Sequence, residues 1–154
     1  MKNSKIYIFI FLIAICLSAC NKKYVTDKYY SIPKEGWSYF DTLDYQFSID
    51  DTDAIYSVFL NVIHNDDYKY RNLFLFMHRL NPDSSLFCDT VQLILSTPEG
   101  TLLGKGIGET KEAKFLLGNN IKFPEQGNYS LQLIHGMRDE YIFGIEKVGF
   151  IISK

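Results

Sequence analysis

The sequence of 154 residues predicts an all-β fold, a single antiparallel β-sandwich of jelly-roll type with about eight strands. Apolar residues alternate with polar ones at the two-residue period of a strand with one buried face. Clusters of turn-forming residues separate these runs at the spacing typical of sandwiches and barrels. Beyond the first 19 residues no segment has long helical periodicity, so two packed sheets are the natural way to bury the apolar faces.

The first three predicted strands are the most apolar. Residues 43–49 alternate strictly between apolar and polar, which indicates one buried and one solvated face. Residues 54–63 are apolar at nearly every position, as suits a central strand, and residues 73–80 are similar. The turns between them are predicted at 50–53, 65–67 and 81–85.

The second half of the chain predicts five further strands. Residues 90–96 place their large apolar side chains on one face, and two short extended pieces follow at 114–117 and 121–123. Residues 129–137 alternate again, and 148–152 close the chain. The turns here are predicted at 97–100 and 124–127.

Residues 1–19 have the pattern of an export signal. Lys2 and Lys5 precede a 12-residue apolar run, which is shorter than the roughly 20 residues a membrane-spanning helix needs. The run ends in Leu-Ser-Ala-Cys20, which resembles the lipobox of bacterial lipoproteins. That resemblance implies that the Cys20 sulfur carries a diacylglyceryl group and that cleavage occurs before it. An uncleaved signal anchor, or an ordinary signal followed by a chance cysteine, are the alternatives.

The mature chain is then predicted to have a lipidated N-terminus and tether at 20–38, and a β-sandwich domain at 39–154. Removing 1–19 takes away two lysines and changes the net charge from −2 to −4, which argues against a nucleic-acid partner. Cys88 would be the remaining free thiol, so no internal disulfide can form. Its apolar neighbours predict a buried position.

The sequence predicts neither an enzyme nor a cofactor. No motif places a nucleophile beside a base, and the three histidines share no metal-ligand spacing. The acidic turn with Asp50, Asp51 and Asp53 could hold Ca²⁺ through its carboxylates, although it lacks the spacing of a defined calcium loop. Solvated turn residues are the simpler interpretation of these carboxylates.

Three aromatic residues near the start of the domain suggest a second class of function. If Trp37, Tyr39 and Tyr45 were exposed in one groove, they could stack on sugar rings, and the chain would be a lipid-anchored carbohydrate-binding module. The alternative is that these rings pack in the core, as most large apolar side chains do.

A set of motifs in the rest of the chain resembles the gliding-motility lipoprotein GldH family. The first of them is the Tyr-x-Tyr-x-Asn-Leu pattern that begins at Tyr68, and the specificity lies in the ordered set rather than in any single motif. The resemblance continues in order along most of the mature chain. It includes Cys20, Trp37, Asn81-Pro82, Asp89-Thr90, Gly104-x-Gly106-x-Gly108, Phe123-Pro124-x-x-Gly127-x-Tyr129, Met137-Arg138 and Gly144-Ile145-x-x-Val148-Gly149.

This resemblance implies a cell-envelope lipoprotein required for gliding motility. We expect a non-enzymatic component that assembles or stabilises the gliding and type 9 secretion machinery and binds other envelope proteins. The candidate interface consists of motif residues of the types that interfaces favour, or else these residues serve structure alone. They are Tyr68, Tyr70, Arg71, Asn72 and Arg138. Lys22 and Lys23 follow Cys20 at positions where surface-exported lipoproteins of gliding bacteria tend to carry acidic residues, so we expect the domain to face the periplasm. We also expect the anchor in the outer membrane in preference to the inner.

Overall fold

The computed structural model describes residues 24–154, and this part of the chain is all-β with no helix. Eight long strands are joined by turns and loops, and two strands of two residues form a small ribbon. In chain order the strands are β1 (Tyr24–Ser31), β2 (Trp37–Ser38), β3 (Leu43–Ile49), β4 (Tyr56–His64), β5 (Asn72–Leu80), β6 (Leu86–Ile94), β7 (Lys111–Ile121), β8 (Gly127–His135), β9 (Tyr141–Ile142) and β10 (Ile145–Ser153). The predicted signal peptide and Cys20 lie outside the described residues.

The long strands form two four-stranded sheets, and every pairing is antiparallel. Sheet A has the order β1-β10-β4-β7, the ribbon β2-β9 is sheet B, and sheet C has the order β3-β8-β5-β6. Only β5 and β6 are both consecutive in the chain and paired in a sheet, so most connections cross between the sheets. This is the double-sheet arrangement of a jelly roll, and the predicted fold class is confirmed.

The predicted strands match the structure closely, with two exceptions in the second half. The pattern predicts two short pieces at 114–117 and 121–123, but β7 is one continuous strand over Lys111–Ile121. β6 begins at Leu86 rather than at residue 90, directly after the predicted turn 81–85, in which Ser84 has a φ of +67°. Consequently Cys88 lies on this strand and is exposed, so the prediction of a buried thiol is wrong.

The N-terminal segment differs from the expected tether. Residues 24–31 form β1, which pairs with β10 along its whole length and forms one edge of sheet A. The ring of Tyr30 packs edge-on against Tyr45 with 4.9 Å between centroids, and its hydroxyl donates to the Asp44 carbonyl. The folded domain therefore includes residues 24–38, because side chains of this segment cover the adjacent edge of sheet C.

The core lies between the sheets and is rich in aromatic side chains. The hydroxyl of Tyr45 on β3 donates to the Val148 carbonyl on β10 at 2.8 Å, which joins the two sheets through a buried hydrogen bond. Phe47 stacks on Tyr129 and contacts Phe150 across the core. Residues 24–154 contain no helix of the length and apolarity needed to cross a membrane.

The two lateral sides of the sandwich are different. On the side of β1 and β3, Tyr30 and Lys28 reach across and close the gap between the sheets. On the side of β6 and β7 a cleft of about 260 Å³ leads into the core. The side chain of Phe87 points into the sandwich, as does that of Arg79, the residue paired with it on β5. Phe87 is nevertheless 48% exposed. The sandwich is thus closed at one side and open at the other.

Candidate functional site

The outer face of sheet C carries part of the Tyr-x-Tyr-x-Asn-Leu segment. Alternation along β5 buries Leu73 and Leu75 in the core, so Asn72, Phe74 and Phe76 lie on the opposite face. Phe76 is 43% exposed, although β5 is an inner strand of the sheet. An aromatic stripe therefore faces away from the core along the middle of the sheet.

This stripe runs into an open depression of about 550 Å³. One wall is the start of β5, and the other is the segment 136–139 that follows β8. Two bonds hold these walls together: the Gly136 amide donates to the Phe74 carbonyl at 2.7 Å, and the Phe74 amide donates to the Met137 sulfur at 3.4 Å. A side chain at position 136 would collide with the ring of Phe76, since an added Cβ would come within 2.9 Å.

The polar side chains of the depression have distinct roles. Tyr70 donates its hydroxyl hydrogen to the Asp139 carboxylate, and this hydrogen bond raises the pKa of Tyr70, which keeps the phenol protonated. Arg138 is exposed. The one ion pair within residues 24–154 joins Lys154 to Asp51, so the guanidinium of Arg138 forms no ion pair within this part of the chain. The depression thus offers an aromatic floor, a sulfur and a free cation.

The structure brings together three of the five predicted interface residues: Tyr70, Asn72 and Arg138 line the depression. Tyr68 is buried; its hydroxyl donates to the Asn72 carbonyl at 2.7 Å and its ring packs edge-on against Tyr70. Arg71 is exposed, but its Nε donates to the Ser96 carbonyl at 3.3 Å. These two residues position the segment and do not line the depression.

Sequence reasoning missed the apolar part of this surface, namely Phe74, Phe76 and Met137. The signal was present, because a strand that buries Leu73 and Leu75 must turn the intervening phenylalanines outward. Residues 73–80 are mostly apolar on both faces, and such a pattern is typical of a fully buried strand. Periodicity alone therefore did not reveal which face of the strand is exposed to solvent.

The three aromatic residues proposed for sugar stacking do not form an exposed surface. Trp37 and Tyr45 are completely buried, and only Tyr39, at 38% exposure, reaches solvent. Trp37 packs edge-on against His135, with its indole N–H donating to the Asp41 carbonyl at 3.0 Å. The two buried rings cannot stack on a sugar, which removes the feature that supported the carbohydrate-binding alternative.

The acidic turn does not gather its carboxylates around one point. Asp51 accepts the backbone amides of Asp53 and Ala54 through one oxygen and the Lys154 amine through the other. Asp50 accepts from Ser48 instead. Within residues 24–154 no group of three histidine, cysteine or acidic side chains could hold a metal ion together. These carboxylates stabilise the turn between β3 and β4.

Comparison with known proteins decides the family. A model of the GldH lipoprotein family matches residues 24–152, which is nearly all of the described domain. The chain belongs to the GldH lipoprotein family. A gliding motility lipoprotein GldH homolog of Christiangramia forsetii is 35% identical over 156 residues, covering 97% of this chain and 94% of the relative. The gliding motility lipoprotein GldH of Flavobacterium johnsoniae is 31% identical over 161 residues, covering 100% and 98%.

Membership confirms the resemblance that the motifs suggested. It makes this GldH chain a lipoprotein of gliding motility, anchored to a membrane of the cell envelope. The matched region begins at residue 24, where β1 begins. The family therefore includes the edge strand that closes the sandwich.

Proposed function

We propose that this GldH chain is a non-enzymatic component that assembles or stabilises the gliding and type 9 secretion machinery. In this proposal Cys20 carries the lipid, the domain faces the periplasm, and the anchor lies in the outer membrane in preference to the inner. Other envelope proteins are the partners. Membership of the family supports a role in gliding motility. The outer surface of sheet C supports action through binding to other envelope proteins.

The observation that carries the proposal is the convergence of Tyr70, Asn72 and Arg138 in one depression. Aromatic residues, methionine and arginine are the types enriched at protein interfaces, and Phe74, Met137 and Arg138 adjoin one another here. An inner strand with an outward phenylalanine as exposed as Phe76 is also hard to explain by stability alone, because solvated positions of such a strand are normally polar.

The test is site-specific photo-crosslinking in the native envelope. A benzophenone amino acid replaces Phe76, on the aromatic stripe beside the depression, and the same amino acid replaces Lys147 on the outer face of sheet A as the control. We expect the Phe76 position to crosslink to a component of the motility or secretion machinery. Crosslinks of equal yield from both positions, or from neither, would contradict a specific interface on sheet C.

A matched pair of charge reversals tests the same surface by function. Arg138→Glu should reduce colony spreading and recovery of the crosslinked partner at least tenfold, a loss of about 1.4 kcal/mol or more in binding. Lys147→Glu makes the same charge change on the other sheet and should leave both unchanged. Fractionation of the wild-type envelope would locate the anchor, and recovery with the inner membrane would overturn that part of the proposal.

A further inference from the structure

Within the described residues, the edge of sheet C at β6 lacks the bulge, the register shifts and the covering side-chain contacts that are found at the other edges. β1 has a bulge between Tyr24 and Thr26, and β7 has register shifts together with several charged side chains. The edge of β3 is covered where Lys28 and Tyr30 bond the Asp44 carbonyl. Natural edge strands are normally blunted by such devices, because unpaired backbone groups bind other strands.

β6 pairs with β5 without any bulge, from Leu86 opposite Leu80 to Ile94 opposite Asn72. Its sequence, LFCDTVQLI, contains no proline, lysine or arginine. Leu86 is 62% exposed and Phe87 48% exposed. A nine-residue straight edge with exposed apolar side chains is the kind that accepts an added strand.

The cleft lies directly beside this edge. Its floor includes Phe47, Leu131 and Phe150 from the core, and Leu117 of β7 forms the opposite wall. In an added strand every second side chain would point into this cleft, in line with the inward residues of β6. The cleft, at about 260 Å³, is smaller than a usual small-molecule site of roughly 300–1,000 Å³, which favours inserted side chains over a separate ligand.

Charge defines the inserted sequence further. Asp89 lies on the inward face of β6 at the cleft, and it is exposed and takes no part in an ion pair within residues 24–154. Its Oδ1 accepts the amide of Thr90 at 2.8 Å, so this amide is turned away from the β5 ladder and is covered by a local bond. A basic side chain opposite Asp89, with apolar side chains two positions on either side, would complement this edge.

We propose that β6 accepts an extended segment of another envelope protein, which adds a fifth strand to sheet C and inserts alternate apolar side chains into the cleft. A second copy of this chain fits less well. Two β6 edges paired about a two-fold axis would bring two Asp89 carboxylates to the shared edge and supply no basic side chain, since β6 contains neither lysine nor arginine. This site is separate from the depression on the outer face, and the proposal goes beyond the function argued above.

The test measures hydrogen exchange of the mature lipoprotein in lipid nanodiscs, with and without a synthetic peptide. The probe is an acetylated, amidated peptide of sequence TVTKTFT, which places valine, lysine and phenylalanine inward. Its control has the same sequence with N-methyl groups on the backbone amides that would bond to β6. We expect the probe alone to slow exchange of the β6 amides at least tenfold at a concentration of about 1 mM or below.

Two variants of the protein make the result specific. Thr90→Pro removes an amide that makes no bond to β5, so the fold should survive while strand addition is blocked. Thr90→Val is the matched control and should bind the probe as the wild type does. Asp89→Lys should reverse the charge preference, so that TVTETFT is bound better than TVTKTFT.

Three outcomes would overturn the proposal. The first is the absence of protection at about 1 mM probe, and the second is equal protection by the N-methylated peptide. The third is protection of β6 by the nanodisc lipid alone, which would assign the cleft to an acyl chain. None of these measurements depends on motility, so their failure would leave the proposed role in the gliding machinery standing.

Discussion

Gly144 occupies a position that no other residue can take without strain. Its φ is +78°, and an added Cβ would lie 2.1 Å from the backbone nitrogen of Tyr68. Because the obstacle is backbone, it cannot move aside as a flexible side chain would. The Tyr68 segment and the start of β10 are therefore held in contact by the absence of a side chain.

We expect Gly144→Ala to destabilise the domain by about 3 kcal/mol, since the left-handed conformation alone costs roughly 1–2 kcal/mol and the collision adds to it. Gly108→Ala is the matched control. Its φ is +72°, but nothing lies within 4 Å of an added Cβ, so it should show the conformational cost alone. Urea unfolding measures both, and equal losses would show that the contact with Tyr68 is unimportant.

Two buried histidines make stability depend on pH. Burial lowers the pKa of His64 and of His135. His64 donates through Nε2 to the Leu103 carbonyl, which leaves its buried Nδ1 without a partner for an added proton. In His135 the Nδ1 accepts the Met137 amide, so a proton added there would displace that bond.

In the unfolded chain both histidines have pKa values of about 6.5. Below that pH the unfolded chain therefore binds protons that the folded chain, with its lower histidine pKa values, does not bind. The free energy of unfolding is therefore not reduced by these histidines above about pH 7. It falls as the pH drops through about 6.5 toward the lower pKa values of the folded state. We expect the free energy of unfolding to fall by up to about 1.4 kcal/mol per pH unit for each histidine. Urea titrations between pH 7.5 and 5.5 check this, and His64→Gln should reduce the slope; an unchanged slope would contradict the assignment.

At the scale of elements, the sequence predicted the strands with strict alternation or with apolar runs between clear turns. β3 alternates buried and solvated positions, and its predicted and observed limits coincide. β1 was missed because an edge strand that is mostly exposed has little apolar periodicity to detect. β7 read as two pieces because Gly118, Asn119 and Asn120 resemble a turn, although the strand continues through them.

The role of β1 leads to a prediction that separates a strand from a tether. A chain beginning at residue 32 lacks β1, which uncovers the paired edge of β10 and removes the Tyr30 ring from Tyr45. We expect its thermal midpoint to fall by more than about 10 °C, since a loss of only a few kcal/mol shifts a domain of this size that far. A chain beginning at residue 24 is the control and should melt as the mature protein does; equal melting of both would mean that β1 adds no stability.

At the scale of the whole molecule, burial decided which predicted site residues could act. The sequence named Trp37, Tyr45 and Tyr68 as surface candidates, and the fold places all three inside. An aromatic ring has the same sequence signature in a core as on a binding surface, because both depend on its large apolar area. Arg138, in contrast, is exposed and remains a candidate for the predicted interface, as expected of a guanidinium, which is rarely buried without a partner.

The position of β1 also fixes how far the domain can lie from the membrane. Tyr24 begins the sheet only four residues after Cys20, so an anchored domain is held within about 14 Å of the lipidated residue. Docking surfaces that act on neighbouring membrane-bound proteins would depend on this height. The proposed interface and the short connection would thus work together.

We expect a flexible insertion of twenty glycine and serine residues after residue 22 to reduce colony spreading strongly, because the connection would then reach about 25 Å on average and lower the effective concentration of the domain at its partner. Palmitate labelling, protein amount and the melting temperature should remain those of the wild type. Cys20→Ala is the reference for complete loss of the anchor and should abolish the labelling as well. Normal spreading of the insertion strain would show that the domain reaches its partner without being held at the membrane surface.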